Sequence, residues 1–495
     1  MSYFTTFWTQ HPALLYGFAF AWGIAFALGH TWTLLPIAII GVSLIQNPHR
    51  LILFSLVTFS AFCFLHLTTT LPPEEATEGI AHIRPSSVKP YHSTFRKGYI
   101  LQGTILSFVP GHSSQSIAQN TPFSLKTGTE RPGANSEYII PATLRHQKYL
   151  FPKKGIPWQP VPGTWSLAEW RFQNKQKVQE FITKQIPHQK AASFLCGIAT
   201  GFFDDNTLYA ELSRFGLQHI MAISGFHFAL VALILSLGLR CILTEKKASI
   251  TLVVLLTLYF IFLGASPSIL RAWVMATIYF LGKIVEKQPR ALNSLGVALL
   301  IVLLVDPLSL TTIGFQFTFL VTGSILLLTQ PIESALQFFL KKRRLSELVH
   351  MNPIDQHGYI VLNALRQILA LTLSVQIVVI PLALFWFQKF PLMSLIYNAF
   401  FPFLASVSLF LLLIGLGLSL LPPVASAIHL INSYFTNWML NLAYQLPISL
   451  DTWVHIEEVP LSLLVIYLCM LFVGGIYIKV FYNETQREKR ELAYL

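Results

Sequence analysis

Long apolar runs alternate with short polar breaks along most of this chain, and one long polar stretch interrupts them. A helix needs about 20 mostly apolar residues to cross a bilayer. Three such runs come early, at 14–29, 31–46 and 51–68, the first two short and joined by a tight turn at Gly29-His30. Nine more follow, at 217–239, 248–263, 267–282, 291–305, 311–329, 362–385, 392–420, 424–446 and 461–479. The run 424–446 carries His429, Asn432, Asn437, Asn441 and Gln445, so an interfacial position suits it too. Residues 191–203 are too short to cross and predict a re-entrant or interfacial helix. Gly197 and Gly201 there have a spacing that permits close helix packing.

The polar stretch spans 70–190. Segments such as YILQGTILSFV (99–109) and EYIIPATL (137–144) are rich in β-branched and aromatic residues, with Pro, Gly, Ser and Asn between them. That pattern predicts a small β-rich domain. Its end, 165–190, predicts an amphipathic helix leading into the membrane. The organisation is therefore membrane helices over 1–69, the β-rich domain over 70–190, a second membrane domain over 191–480 and a tail over 481–495. The fold class is a polytopic α-helical membrane protein of about 11–12 spans with an inserted β-rich domain.

Composition agrees. Of 495 residues, 54% are hydrophobic and only 11% charged, which excludes a single soluble globular domain and excludes disorder. The net charge of +12 favours an anionic partner. Lys and Arg concentrate in the loops on one side of a twelve-span arrangement, with KKRR at 341–344 the densest cluster. The positive-inside rule then puts both termini in the cytoplasm and 70–190 outside. That outer domain holds 15 Lys and Arg against 7 Asp and Glu. Its basic residues Arg145, Lys148, Lys153, Lys154 and Arg171 are interleaved with Tyr138, Tyr149, Phe151, Trp158, Trp165 and Trp170. Such a pattern suits single-stranded nucleic acid. A β-domain core with a surface touching anionic lipid explains it as well. The four cysteines (Cys63, Cys196, Cys241, Cys469) form no C-x-x-C, so neither a zinc site nor a disulfide framework is expected.

Four apolar segments carry polar groups that are costly in a membrane. GLQHIMAISGFHFAL (216–230) holds His219, Ser224, Gly225 and His227; on a continuous helix Ser224 and His227 are i, i+3 neighbours. ASPSILRAWVMA (265–276) holds Arg271 one turn after Pro267. It could contact a passing phosphate or pair with a carboxylate. VDPLSLTTIGFQFTF (305–319) holds Asp306, a candidate partner for Arg271 or a turn cap, and Gln316. The fourth, 369–405, holds Gln376, Pro381, Asn398 and Pro402, marks of bent helices that line a cavity or are merely kinked. Hydrogen bonding between helices is the plain alternative for the first segment, and a structural ion pair for Arg271. No G-x-x-x-x-G-K-[ST] and no H-E-x-x-H occurs, and no metal or other cofactor is expected.

These four strings, in this order, resemble the membrane domain of the ComEC family over about 190–480. The Gly-Leu-x-His run leading into Ala-Ile-Ser-Gly-x-His is the most specific, joined by Arg-Ala-x-x-Met at Arg271 and Asp-Pro … Gly-Phe-Gln at Asp306 and Gln316. The resemblance implies an inner-membrane channel for single-stranded DNA uptake in naturally transformable bacteria, not an enzyme. It also implies an OB-like fold for 70–190. Implied partners are membrane lipids, a periplasmic DNA receptor, and a cytoplasmic ATPase or single-strand-binding protein; an oligomer is left open. Many members add a C-terminal metallo-β-lactamase-like domain. The residues after 480 are too few for one, so strand degradation is expected of another protein. The rival readings are a small-solute or ion transporter, or a ComEC-like protein that has lost DNA transport. A hydrolase built on Ser224 and His227 lacks an orienting acid.

Overall fold

Proline opens many of the helices. Pro12, Pro48, Pro267 and Pro353 each stand in a first turn, where a missing N–H costs nothing. The computed structural model describes residues 2–92, 97–111, 115–128, 135–153, 155–203, 205–221, 225–339, 343, 351–444 and 452–494. Four helices lead in: α1 (Ser2–Gln10), α2 (Pro12–Ala27), α3 (Leu34–Leu44) and α4 (Pro48–Thr68). The first is too short to register as an apolar run. It is held by the burial of Phe7 and Trp8 and by an edge-on contact of Tyr3 with Tyr477.

The polar stretch folds as a closed barrel. Strands β1 (Thr77–His92), β2 (Lys97–Pro110), β3 (Thr121–Thr127), β4 (Tyr138–Arg145) and β5 (Tyr149–Pro152) pair in the order β1-β2-β3-β5-β4, and β4 closes back onto β1. The β3–β5 pair is parallel and the others antiparallel. That is an OB-like arrangement. The short β6 (Gln159–Pro160) extends β4. Strand β1 can serve two neighbours because register shifts at His82/Ile83 and Pro85/Ser87 bend it. Alternation is clean in β4, where Tyr138, Ile140, Ala142 and Leu144 point in. They meet Ile83, Leu101, Phe108, Phe123 and Leu150 in one core.

The barrel is tied to the helices at two places. Asn120 Nδ2 donates to Thr68 O at 2.9 Å, and Gln147 Nε2 to Pro72 O at 2.9 Å, anchoring it to the end of α4. Helix α5 (Leu167–Gln185), capped by Ser166, plugs the core with buried Phe172. It turns into α6 (Gln189–Thr200), which is buried against α5 and the later helices. The Gly197/Gly201 pair is not a helix–helix contact. The Phe203 ring covers Gly197, and Gly201 closes α6 with φ 75°.

Two short helices, α7 (Asn206–Arg214) and α8 (Gln218–Met221), precede the remaining bundle. It comprises α9 (Gly225–Arg240), α10 (Glu245–Leu263), α11 (Pro267–Ile284), α12 (Ala291–Val305), α13 (Ile313–Leu336), α14 (Pro353–Phe387), α15 (Ser394–Gly417), α16 (Pro422–Tyr444) and α17 (Leu461–Tyr494). Among the described residues each of the twelve apolar runs is mainly helical. Among the described residues six helices are long and apolar enough to cross a membrane, and four apolar stretches are shorter. Helices α11 and α16 fall outside both groups; the first carries Arg271 and the second a buried His429, Asn432 and Thr436. Small residues let helices approach closely: a Cβ on Gly296 of α12 would overlap the Ala13–Leu14 backbone of α2. A two-stranded ribbon, β7 (Lys389–Pro391) with β8 (Trp453–His455), links the α14–α15 turn to the segment before α17.

Candidate functional site

The polar residues of the membrane domain gather near the barrel-side ends of several helices. Contacts fix that level. Ser394 and Pro391 lie against Gly216, Thr318 Oγ1 meets Ser268 Oγ at 3.3 Å, and Trp386 Nε1 donates to Gln316 Oε1 at 2.9 Å. Arg271 sits there, one turn into α11 and only 8% exposed. Its Nη1 donates to Thr318 O at 3.2 Å, while Nε is buried without a partner. Among the described residues no carboxylate pairs with it.

Gly225, the first described residue of α9, lies directly beside this guanidinium. A Cβ at 225 would overlap Arg271 Nη2, so any larger residue there makes the guanidinium shift. A guanidinium has five N–H donors, and a single carbonyl leaves most of them to water or to a ligand.

His227, two residues into α9, is buried. His219 on α8 is near enough to act on it electrostatically. The His219 side chain is exposed. Its Nδ1 donates to Gly216 O at 3.2 Å, which leaves Nε2 of the neutral ring with the lone pair. Ser224 lies outside the described residues.

The remaining candidates divide. Asp306 does not pair with Arg271. It is exposed at a turn, where its carbonyl accepts from Ser309 N–H and Oγ. Gln316 bridges Leu310 O and Trp386, a structural role. Gln376, 4% exposed on α14, has neither amide atom partnered, and Asn398 on α15 has a buried, unpartnered Oδ1. Gln376 stands ten residues before Trp386, about 15 Å deeper along the helix. A buried amide with no partner is costly unless water or a ligand satisfies it.

On the barrel, the basic candidates separate as sharply. Arg145 lies over the Phe151 ring at 5.3 Å from its centroid, with Tyr149 (48% exposed) and Phe151 (51% exposed) on the same outward face. Lys148 is exposed in the adjoining turn, where His146 and Gln147 take φ of 48° and 59°. This is a cation beside two open rings, the surface that stacks bases and holds phosphates. Tyr138 and Trp158, by contrast, pack edge-to-face at the core. Lys153 is ion-paired with Glu78 at 2.7 Å, and its ammonium holds that carboxyl below the usual range. Lys154 lies outside the described residues. Arg171 does not face the platform. Its Nε donates to Ile261 O at 2.6 Å, at the end of α10. Lys175, which the sequence did not single out, does the same with Leu263 O at 2.9 Å. Its signal was present, a second cation four residues after Arg171.

The fold and this arrangement define a multi-pass membrane protein with an OB-like domain. The family model described as "Competence protein" matches residues 202–481, more than half of the chain, and the chain belongs to that family. Among curated relatives it is similar to the ComE operon protein 3 of Bacillus subtilis (strain 168), 27% identical over 249 residues, 47% of this chain and 30% of that protein. It is also similar to the uncharacterized protein MG316 homolog of Mycoplasma pneumoniae, 30% identical over 186 residues, 37% of this chain and 46% of that protein. The matches thus span less than half the length of either relative. No solved structure matches.

Proposed function

We propose that this chain forms the path by which single-stranded DNA crosses the bacterial cytoplasmic membrane during natural competence, with both termini in the cytoplasm and the barrel outside. The observation that carries this reading is Arg271, a buried guanidinium with one carbonyl partner, set against Gly225. A cation kept so incompletely satisfied in a membrane protein is expensive unless an anion or water completes it. A strand bearing one charge per nucleotide needs such groups, because it cannot enter hydrocarbon. The exposed His219 and the open amides of Gln376 and Asn398 extend the polar lining. The platform of Arg145, Tyr149 and Phe151 receives the strand by charge and stacking. Direction comes from a cytoplasmic ATPase or from capture of the emerging strand.

A carrier of small anions would use Arg271 equally well, but has no use for two exposed rings beside a cation on the outer barrel. The test is deletion of the gene and complementation with this chain, following labelled DNA. Loss of internalised DNA with surface-bound DNA unchanged, restored by the chain, is expected. Undiminished internalisation after deletion refutes the proposal.

A further inference from the structure

A groove of about 330 Å³ opens where α5 meets the ends of two apolar helices. Trp170, Val178 and Phe181 come from α5, Phe262 from the last turn of α10 and Leu416 from the last turn of α15. Hydrogen bonds fix its level. Phe262 lies between Ile261 and Leu263, whose carbonyls accept from Arg171 Nε and Lys175 Nζ. Arg171 Nη1 also donates to Ser86 O of β1 at 3.4 Å. Helix α10 is long and apolar enough to cross a membrane, and it stops here, at Gly264 with φ 102°. The groove therefore lies beside the barrel, at the depth where a span meets the lipid headgroups.

The lining is mostly apolar, and Trp170 and Phe181 are each 38% exposed, so two large rings stand open to whatever enters. Lys177 is the one charged residue along it. Its side chain is exposed, and among the described residues no carboxylate pairs with it. Glu180, the next acid along α5, is exposed and forms no ion pair either. Helix α5 as a whole carries four Lys and Arg against two Glu, a net of +2. Open rings, an apolar slot and an unpaired cation at headgroup level are what a lipid anion complements. Aromatic rings settle at that boundary, and a lysine stem lies along apolar surface while its ammonium reaches the headgroups.

We propose that this groove binds an anionic phospholipid of the leaflet on the barrel's side, one acyl chain against Phe181, Phe262 and Leu416 and the headgroup phosphate at Lys177. The volume suits one chain, near the lower end of the range for small-molecule sites, about 300–1,000 Å³. Charge selects the headgroup, since Lys177 is unpaired and no acid lines the groove. A nucleic-acid strand is the other anion at hand. It is disfavoured because Phe262 and Leu416, at the ends of apolar helices, offer a charged backbone no donor. Helix α5 also carries Phe172, the plug of the barrel. A lipid held here ties the seat of the barrel to the composition of the leaflet, whatever the chain transports.

The experiment uses the full chain in phosphatidylcholine nanodiscs holding a minor share of phosphatidylglycerol, with brominated acyl chains on one lipid or on the other. Bromine quenches an indole on contact, and the Trp170 signal is the difference between the natural chain and Trp170→Phe. Brominated phosphatidylglycerol is expected to quench that signal about fivefold more, per mole of lipid, than brominated phosphatidylcholine, the weight of one lysine at an anionic surface. Lys177 makes no hydrogen bond or ion pair among the described residues, so Lys177→Gln keeps the fold. That variant is expected to lose the preference and Lys177→Arg to retain it. Equal quenching by the two lipids in the natural chain means ordinary boundary lipid and overturns the proposal. So does a preference that survives in Lys177→Gln. If an oligothymidylate shields Trp170 from both brominated lipids, the groove takes nucleic acid and the proposal is again overturned.

Discussion

Arg271→Met separates transport from stability. Methionine keeps much of the stem and removes the charge. A phosphate oxygen about 4 Å from the guanidinium, at an effective dielectric of about 20, is held by about 4 kcal/mol, an upper figure once water screens it. Loss of half to most of that predicts uptake reduced by about 30- to 1,000-fold. The effect on folding is smaller because two terms oppose. Removing a charge from the membrane relieves up to about 2.5–3.5 kcal/mol on insertion scales. Leaving Thr318 O without its donor costs about 1–3 kcal/mol. The variant should therefore insert normally and melt close to the natural protein. Arg271→Lys, which keeps charge without the fork, should fall between. The assay is internalised labelled DNA per cell, read beside membrane protein level and the detergent melting curve. Uptake within a few-fold of normal at normal protein level refutes the reasoning. Uptake that falls only in step with protein level makes Arg271 a structural residue.

Three further predictions follow from particular contacts. Gly225→Ala should displace the Arg271 guanidinium and lower uptake at least tenfold in an inserted protein, checked by the same assay. Phe151→Ala should cost about 1–3 kcal/mol of single-strand affinity if one base stacks there, and Arg145→Ala should lower the salt slope by about 0.7; titration of the full chain reads both. Glu137, bonded by Arg84 and also by His82, has its carboxyl held below the ordinary value of 4.5. Its stabilisation of the barrel is fully present above pH 4.5 and fades as pH falls through the lower folded value, so Glu137→Gln should flatten the acid limb of a Trp fluorescence melt.

The membrane helices were legible because hydropathy needs no tertiary information: among the described residues all twelve runs are mainly helical. The barrel was legible only as β character, since its closure depends on β1 bending at Pro85 to meet both β2 and β4. At Gly225 and Arg271 the motif and close packing coincide. Long-range contacts, which no local pattern carries, decide the surroundings of others. Arg171 looked like a DNA contact because it lies among aromatics, yet the end of α10, some ninety residues on, takes its Nε donor. Asp306 seemed an apt partner for Arg271, but the turn it caps leaves it exposed. The α1 helix went unseen because its nine residues are too few and too polar to register as an apolar run.

The closing of β4 onto β1 has a mechanical consequence. Where β4 closes onto the first half of β1, no strand edge is left to zip a guest segment into the ladder, the mode that grips through repeated main-chain bonds. A ligand captured on that side is gripped through a few protruding side chains. Such a grip is lost and regained one unit at a time, so a long chain can ratchet past it without the domain ever having to let go all at once.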